Sequence, residues 1–180
     1  MVGPMPKLSS DQPALFEPPP PERQPLAARM RPRTIDEVVG QRRLLAPRQP
    51  LRRAVESGRA GSLTLWGPPG SGKTTLARLI AATSGAAVEQ LSAVADGVAD
   101  LKQVIARARA RSAPTVLIVD EIHRWSRAQQ AALLPHVEDG VISLIGVTSE
   151  NPYFDIIAPL RSRLCSASFS RMRSSTAGVR

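Results

Sequence analysis

Gly67-Pro-Pro-Gly-Ser-Gly-Lys-Thr74 is the stretch on which the fold turns. It fits the phosphate-binding loop pattern G-x-x-x-x-G-K-[ST] in full. Glycine freedom lets the backbone curl so that successive N–H groups point at phosphate oxygens. The loop then opens a helix, whose N-terminal end favours negative charge. Gly67, Pro68, Pro69, Gly70, Ser71, Gly72, Lys73, Thr74 and Thr75 are therefore the candidate nucleotide-binding residues. Lys73 would supply a point charge to the β- and γ-phosphates, and the Thr74 hydroxyl would hold Mg²⁺. The expected ligand is ATP with Mg²⁺.

The flanks supply the context that the loop needs. Ser62–Trp66 is a short apolar run and reads as a strand, and Lys73–Thr83 reads as a helix. Downstream, Ala87–Leu91 is a weak strand. Val98–Arg111 carries apolar residues at helical spacing up to the break at Pro114, and Val116–Val119 is a continuous apolar run suited to a strand buried on both faces. Arg127–Leu134 is predicted helical and Val141–Val147 a further strand. Upstream, Leu51–Ser57 reads as a helix stopped by Gly58, and Thr34 with Glu37 has the form of a capping box. Strands alternating with helices specify an α/β domain with a parallel sheet flanked by helices.

In such a sheet ligands sit at the carboxyl ends of the strands. Val116-Leu-Ile-Val-Asp-Glu121 ends in two acids at that edge. Asp120 would complete the Mg²⁺ shell, and Glu121 would orient and deprotonate the attacking water. Without the loop upstream, two acids after a strand would read as a helix cap. The next strand runs into Gly146-Val-Thr-Ser-Glu-Asn151. Ser149 is the first choice for a polar contact to the γ-phosphate or the water, then Asn151 and Thr148; an ordinary Ser/Asn turn would use the same residues. Arg161 and Arg163, in Leu160-Arg-Ser-Arg-Leu164, suit either a solvated basic turn or an arginine supplied to a neighbouring subunit.

The chain has 180 residues, enough for one domain with a sizeable core. Aromatics make up only 3% of it, so the core must rest on aliphatic side chains. One cysteine and two histidines exclude an internal disulfide and argue against zinc. The longest apolar runs fall far short of the ~20 residues of a membrane span. A reducing, cytoplasmic location is expected, without a membrane partner. The net charge of +9, carried mostly by arginine, points to a polyanion, nucleic acid before an anionic membrane, although genome base composition also produces arginine-rich chains. The basic stretch Arg29–Arg33 and the face at Arg107 and Arg111 are the candidate contacts. Residues 1–25 are proline-rich and read as a disordered arm.

Together these motifs resemble the P-loop NTPases of AAA+ type. Leu26–Gln41 and Ser62–Ile80 resemble the clamp-loader and Holliday-junction-motor group. Asp120–Glu138 and Leu144–Pro152 are more specific, and resemble the replication-associated recombination protein A family and its eukaryotic Werner-helicase-interacting relatives. The resemblance spans about residues 26–164, with the Holliday-junction branch-migration motor as the alternative. It implies an oligomeric, DNA-stimulated ATPase acting in replication, recombination and repair, at stalled forks and on single-stranded DNA, hence a nucleoid location. It implies Lys73 and Thr74 in the P-loop, Asp120 and Glu121 as the hydrolytic pair and Ser149 as polar sensor, where the family usually has threonine. It implies Arg163 as the arginine finger and Val39, Gly40 and Gln41 along the adenine pocket.

Beyond Leu164 the likeness stops. The family continues into a final core strand, a helical lid and an oligomerisation domain, whereas residues 165–180 are Ser/Arg-rich and show neither period. That segment is expected to be an irregular, truncated or frame-shifted tail, with no complete lid domain. A truncated nucleotide-binding fragment, monomeric or loosely associating and without productive turnover, is the corresponding alternative to the active enzyme.

Overall fold

The computed structural model describes residues 30–58 and 61–169. The described residues from Pro32 onward belong to one compact unit. The expected proline-rich arm, Arg29 and the end of the tail lie outside the described residues.

Five strands form one parallel sheet: β1 (Leu63–Trp66), β2 (Ala87–Ser92), β3 (Thr115–Asp120), β4 (Ser143–Thr148) and β5 (Cys165–Ser168), in the order β2-β3-β4-β1-β5. Alternation along the strands builds two cores. Val116 and Ile118 of β3 point into one with Leu63, Leu65, Ile145 and Val147; Leu117 and Val119 point into the other with Leu144. Each such side chain contributes roughly 1.5–3 kcal/mol on leaving water.

Helices cover both faces. The first core is closed by α1 (Arg42–Leu45), α2 (Pro50–Glu56) and α3 (Lys73–Thr83) through Leu45, Val55, Leu76 and Ile80. The second is closed by α4 (Val98–Ala110) and α5 (Arg127–Glu138), with the short α6 (Pro152–Asp155) and α7 (Ala158–Arg161), through Leu101, Val104, Leu133, Ile156 and Leu160. None of the described helices is long and apolar enough to cross a membrane.

Three expectations need correction. Helix α5 does not stop before Pro135 but runs to Glu138. Proline there removes one backbone donor, while Leu133 on one side and Leu134 and Val137 around it pack against the core and hold the turn. Thr34 does not form a capping box. Residues Ile35–Glu37 make only a 3₁₀ turn without a side-chain cap from Thr34, and the Glu37 carboxylate accepts the N–H of Arg33 at 2.8 Å.

The third concerns the tail. Residues from Cys165 were expected to be irregular, yet Cys165–Ser168 is β5, paired in register with all four residues of β1. Its small polar residues carry little strand propensity of their own, and it lies at the sheet edge, where only Ala167 is buried. Pairing with β1 decides the conformation. Phe169 then follows as a buried anchor, its N–H donating to Trp66 O at 2.7 Å.

Candidate functional site

The strand order leaves β1 between β4 and β5, so the carboxyl ends of β1, β3 and β4 open onto one crevice. The loop after β1 fills it. Gly70 and Gly72 have φ of 73° and 89°, and a Cβ on either would meet nothing within 4 Å, so these turns face open space. Gly67 differs: at φ 147° its hydrogen lies against Phe169, and a Cβ would come within 2.6 Å of Phe169 O. Gly67 is thus held from behind while Gly70 and Gly72 face outward.

Lys73 and Thr74 open α3 directly after Gly72. The buried Lys73 ammonium donates to Gly67 O and Pro68 O, both at 2.9 Å, and so caps the curve of its own loop. Burial holds its pKa below the ordinary lysine value, and the carboxylates of Glu121 and Asp120 partly offset this. Ser71 Oγ is buried without a hydrogen-bond partner. The Thr74 hydroxyl lies 3.2 Å from both oxygens of Asp120. Thr75 is half-buried on the same turn.

Hydroxyl and carboxylate oxygens are the hard donors that Mg²⁺ prefers. Among the described residues no group of three or more His, Cys, Asp or Glu could hold a metal by itself. Thr74 and Asp120 supply one hydroxyl and one carboxylate, and a Mg²⁺ bound with a nucleotide completes its shell with phosphate oxygens and water. Open glycine turns, a buried lysine and an unpartnered serine hydroxyl suit a bound phosphate chain.

Glu121 stands apart in its backbone. It is a non-glycine residue in the left-handed region, φ 52° and ψ 45°, where β3 ends and the 3₁₀ turn Ile122–Arg124 begins. Side chains resist this conformation, and such strain gathers at functional sites. Its Oε2 accepts from Ser149 N at 3.2 Å and Ser149 Oγ at 3.1 Å, and lies 3.2 Å from His123 Nδ1.

This separates the three polar candidates at the end of β4. Ser149 meets Glu121. Asn151 does not join the cluster: its side chain accepts from Tyr153 N at 3.0 Å and caps α6. Thr148 is fully buried, 2.9 Å from His123 Nδ1. His123 is the cluster residue that sequence reasoning missed. Its signal was its place two residues after the Glu121 carboxylate, on the turn that carries that group.

The two candidate arginines also separate. Arg161 is fixed within the chain, donating to Tyr153 O at 2.7 Å and stacking 4.5 Å from the Tyr153 ring centroid. Arg163 is more than half exposed and pairs with Glu138 at 2.9 Å. Neither makes a hydrogen bond or ion pair with the P-loop cluster. Upstream, Gly40 turns at φ 91° and the buried Gln41 donates to Ser71 O at 3.4 Å, tying the opening segment to the P-loop. Val39, Gly40 and Gln41 line a cavity of about 450 Å³ with Ile35, Val38 and Leu45. Arg107 and Arg111, the expected basic face, converge on Glu89 at 2.8 and 2.7 Å and stay partly exposed.

A five-stranded parallel sheet of this order, with a P-loop after β1 and two acids after β3, defines a P-loop NTPase of AAA+ type. Residues 63–171 match the ATPase family associated with various cellular activities (AAA), and the chain belongs to that family. It is 53% identical over 143 residues to replication-associated recombination protein A of Escherichia coli strain K12, covering 78% of this chain and 32% of that protein. It is 44% identical over 142 residues to the ATPase WRNIP1 of Dictyostelium discoideum, covering 77% of this chain and 16% of that protein. The chain spans about a third of the bacterial relative. Among solved structures, the Thermotoga maritima RuvB Holliday junction branch migration motor superposes with a TM-score of 0.64 at 29% identity, over 77% of this chain and 48% of that one.

Proposed function

We propose that this chain binds Mg-ATP in the P-loop crevice and hydrolyses it, in the service of DNA replication, recombination and repair. The meeting of Lys73, Thr74, Asp120, Glu121 and Ser149 at the ends of three neighbouring strands carries this reading. Lys73 and the loop amides bind the phosphate chain. Val39, Gly40 and Gln41 border the space for the base. Thr74 and Asp120 hold Mg²⁺, which when bound draws charge from the β- and γ-phosphate oxygens. Glu121 orients the attacking water and takes its proton. Ser149 holds the Glu121 carboxylate beside the γ-phosphate.

Arg163 acts on a neighbouring copy, as an arginine finger does. Its exposure and its readily exchanged surface pair with Glu138 support that role, and Arg161, locked onto Tyr153, does not compete for it. The working form is then a homo-oligomer.

DNA is the macromolecular partner, as single strands or fork structures read without sequence preference. The charge of +9 and the 53% identity to a replication-associated recombination protein support this. The 29% identity to the Holliday-junction motor supports that alternative less. The location is the cytoplasm, on the nucleoid.

ATP hydrolysis by the chain, measured with and without single-stranded DNA, tests the proposal. Turnover that rises with DNA is expected. Nucleotide binding without turnover under both conditions would leave a binding module and overturn the enzymatic reading.

A further inference from the structure

We infer that His123 is a positioning residue for hydrolysis: its Nδ1–H, together with Ser149, pins one oxygen of Glu121 and leaves the other to take the proton. This rests on the proposed role of Glu121 as the base.

The hydrogen-bond geometry fixes the tautomer. His123 Nδ1 lies 2.9 Å from Thr148 Oγ1 and 3.2 Å from Glu121 Oε2. A carboxylate only accepts, so a bare Nδ1 would set a lone pair against lone pairs at that distance. With the proton on Nδ1 every contact is attractive. Nδ1–H is shared between Glu121 Oε2 and Thr148 Oγ1. The Thr148 hydroxyl also accepts from Glu150 N at 3.0 Å and keeps its own hydrogen for Glu150 O at 3.4 Å. Thr148 is fully buried and His123 nearly so, which shields that end of the network from competing water, while Glu121 remains partly exposed.

The consequence falls on Glu121. Its backbone is already held in the left-handed region, which sets where the side chain starts. Ser149 N, Ser149 Oγ and His123 Nδ1 all meet Oε2, while Oε1 accepts no hydrogen bond among the described residues. A carboxylate gripped on one oxygen cannot rotate freely, and its other oxygen keeps one orientation. A general base works only within hydrogen-bond reach of its proton, so this grip sets a rate without touching nucleotide.

Three forms of the full chain test the idea: the parent, His123→Phe and His123→Asn. Phenylalanine keeps the ring and removes the donor, whereas the asparagine amide reaches the position of Nδ1. His123→Phe should lower kcat for Mg-ATP roughly tenfold or more, the effect of one hydrogen bond to a charged group. Affinity for a fluorescent ATP analogue should stay within about twofold, and His123→Asn should recover most of the rate. Parental kcat in His123→Phe, or equal loss in both variants, would overturn the inference. If the parent itself does not hydrolyse ATP, the reading of Glu121 fails by that result alone. Nitrogen-15 NMR of the two imidazoles, separated with His136→Gln, then decides this one. A proton on His123 Nδ1 supports the inference, and a ring that carries its proton on Nε2 alone overturns it.

Discussion

The hydroxyl of Thr74 lies 3.2 Å from the carboxylate of Asp120, joining two residues 46 positions apart in the chain. One opens the helix after β1 and the other closes β3, so the strand order β3-β4-β1 and the packing of α3 on the sheet bring them together. If this pair holds Mg²⁺, Thr74→Ala and Asp120→Asn should each raise the Mg²⁺ concentration needed for half-maximal hydrolysis, roughly tenfold or more. Binding of ATP in the presence of a chelator should change little. A magnesium titration checks this, and an unchanged midpoint in both variants would remove the pair from the metal site.

Lys73 should carry much of the affinity for nucleotide. It is buried, its ammonium rests on Gly67 O and Pro68 O, and no other lysine lies nearby in sequence. Lys73→Ala should weaken binding of a fluorescent ATP analogue at least tenfold, about the worth of one charge-assisted contact to phosphate. Retained affinity would show that the loop amides suffice.

Phe169 should be a structural anchor of the site. It is buried against Gly67, and its N–H continues the pairing of β5 with β1. Phe169→Ala should cost about 3–5 kcal/mol in urea unfolding, as removal of a buried aromatic does. A loss below about 1 kcal/mol would mean that the segment after β5 does not brace the P-loop.

Much of this architecture was legible in the sequence, because hydrophobic period and P-loop chemistry act locally. Val116–Val119 read as a doubly buried strand and Lys73–Thr83 as a helix following the glycine-rich loop, and both elements are present. What escaped was set by contacts distant in sequence. Cys165–Ser168 has no strand pattern and becomes a strand only beside β1. His123 carries no local mark of its bond to Thr148, 25 positions away. The pairing of Arg107 and Arg111 with Glu89 left no local mark, because Glu89 lies 18 residues before Arg107 in sequence.

That Glu89 pairing has a pH signature. The Arg107 hydrogen bond, with help from Arg111, holds the Glu89 pKa below its ordinary value of 4.5. A lowered acid pKa contributes stability above the ordinary value and loses it as pH falls through the lowered one. Glu89→Gln should therefore flatten the loss of stability below about pH 4.5, by a modest amount because the arginines are partly exposed. The same variant frees two arginines and should tighten binding to single-stranded DNA at low salt, with a steeper salt dependence. Thermal melts across acid pH and salt titrations check both; unchanged DNA affinity would exclude this face as a contact.

The central claim is that Glu121 is the base of an ATPase, and Glu121→Gln tests it most directly. The amide keeps the shape and can still accept from Ser149 and His123, but it cannot take a proton from water. Steady-state hydrolysis and binding of a fluorescent ATP analogue are measured on the parent and the variant side by side. The expected result is affinity within about twofold of the parent, with turnover reduced by roughly a hundredfold or more. Turnover equal to the parent's would contradict the account.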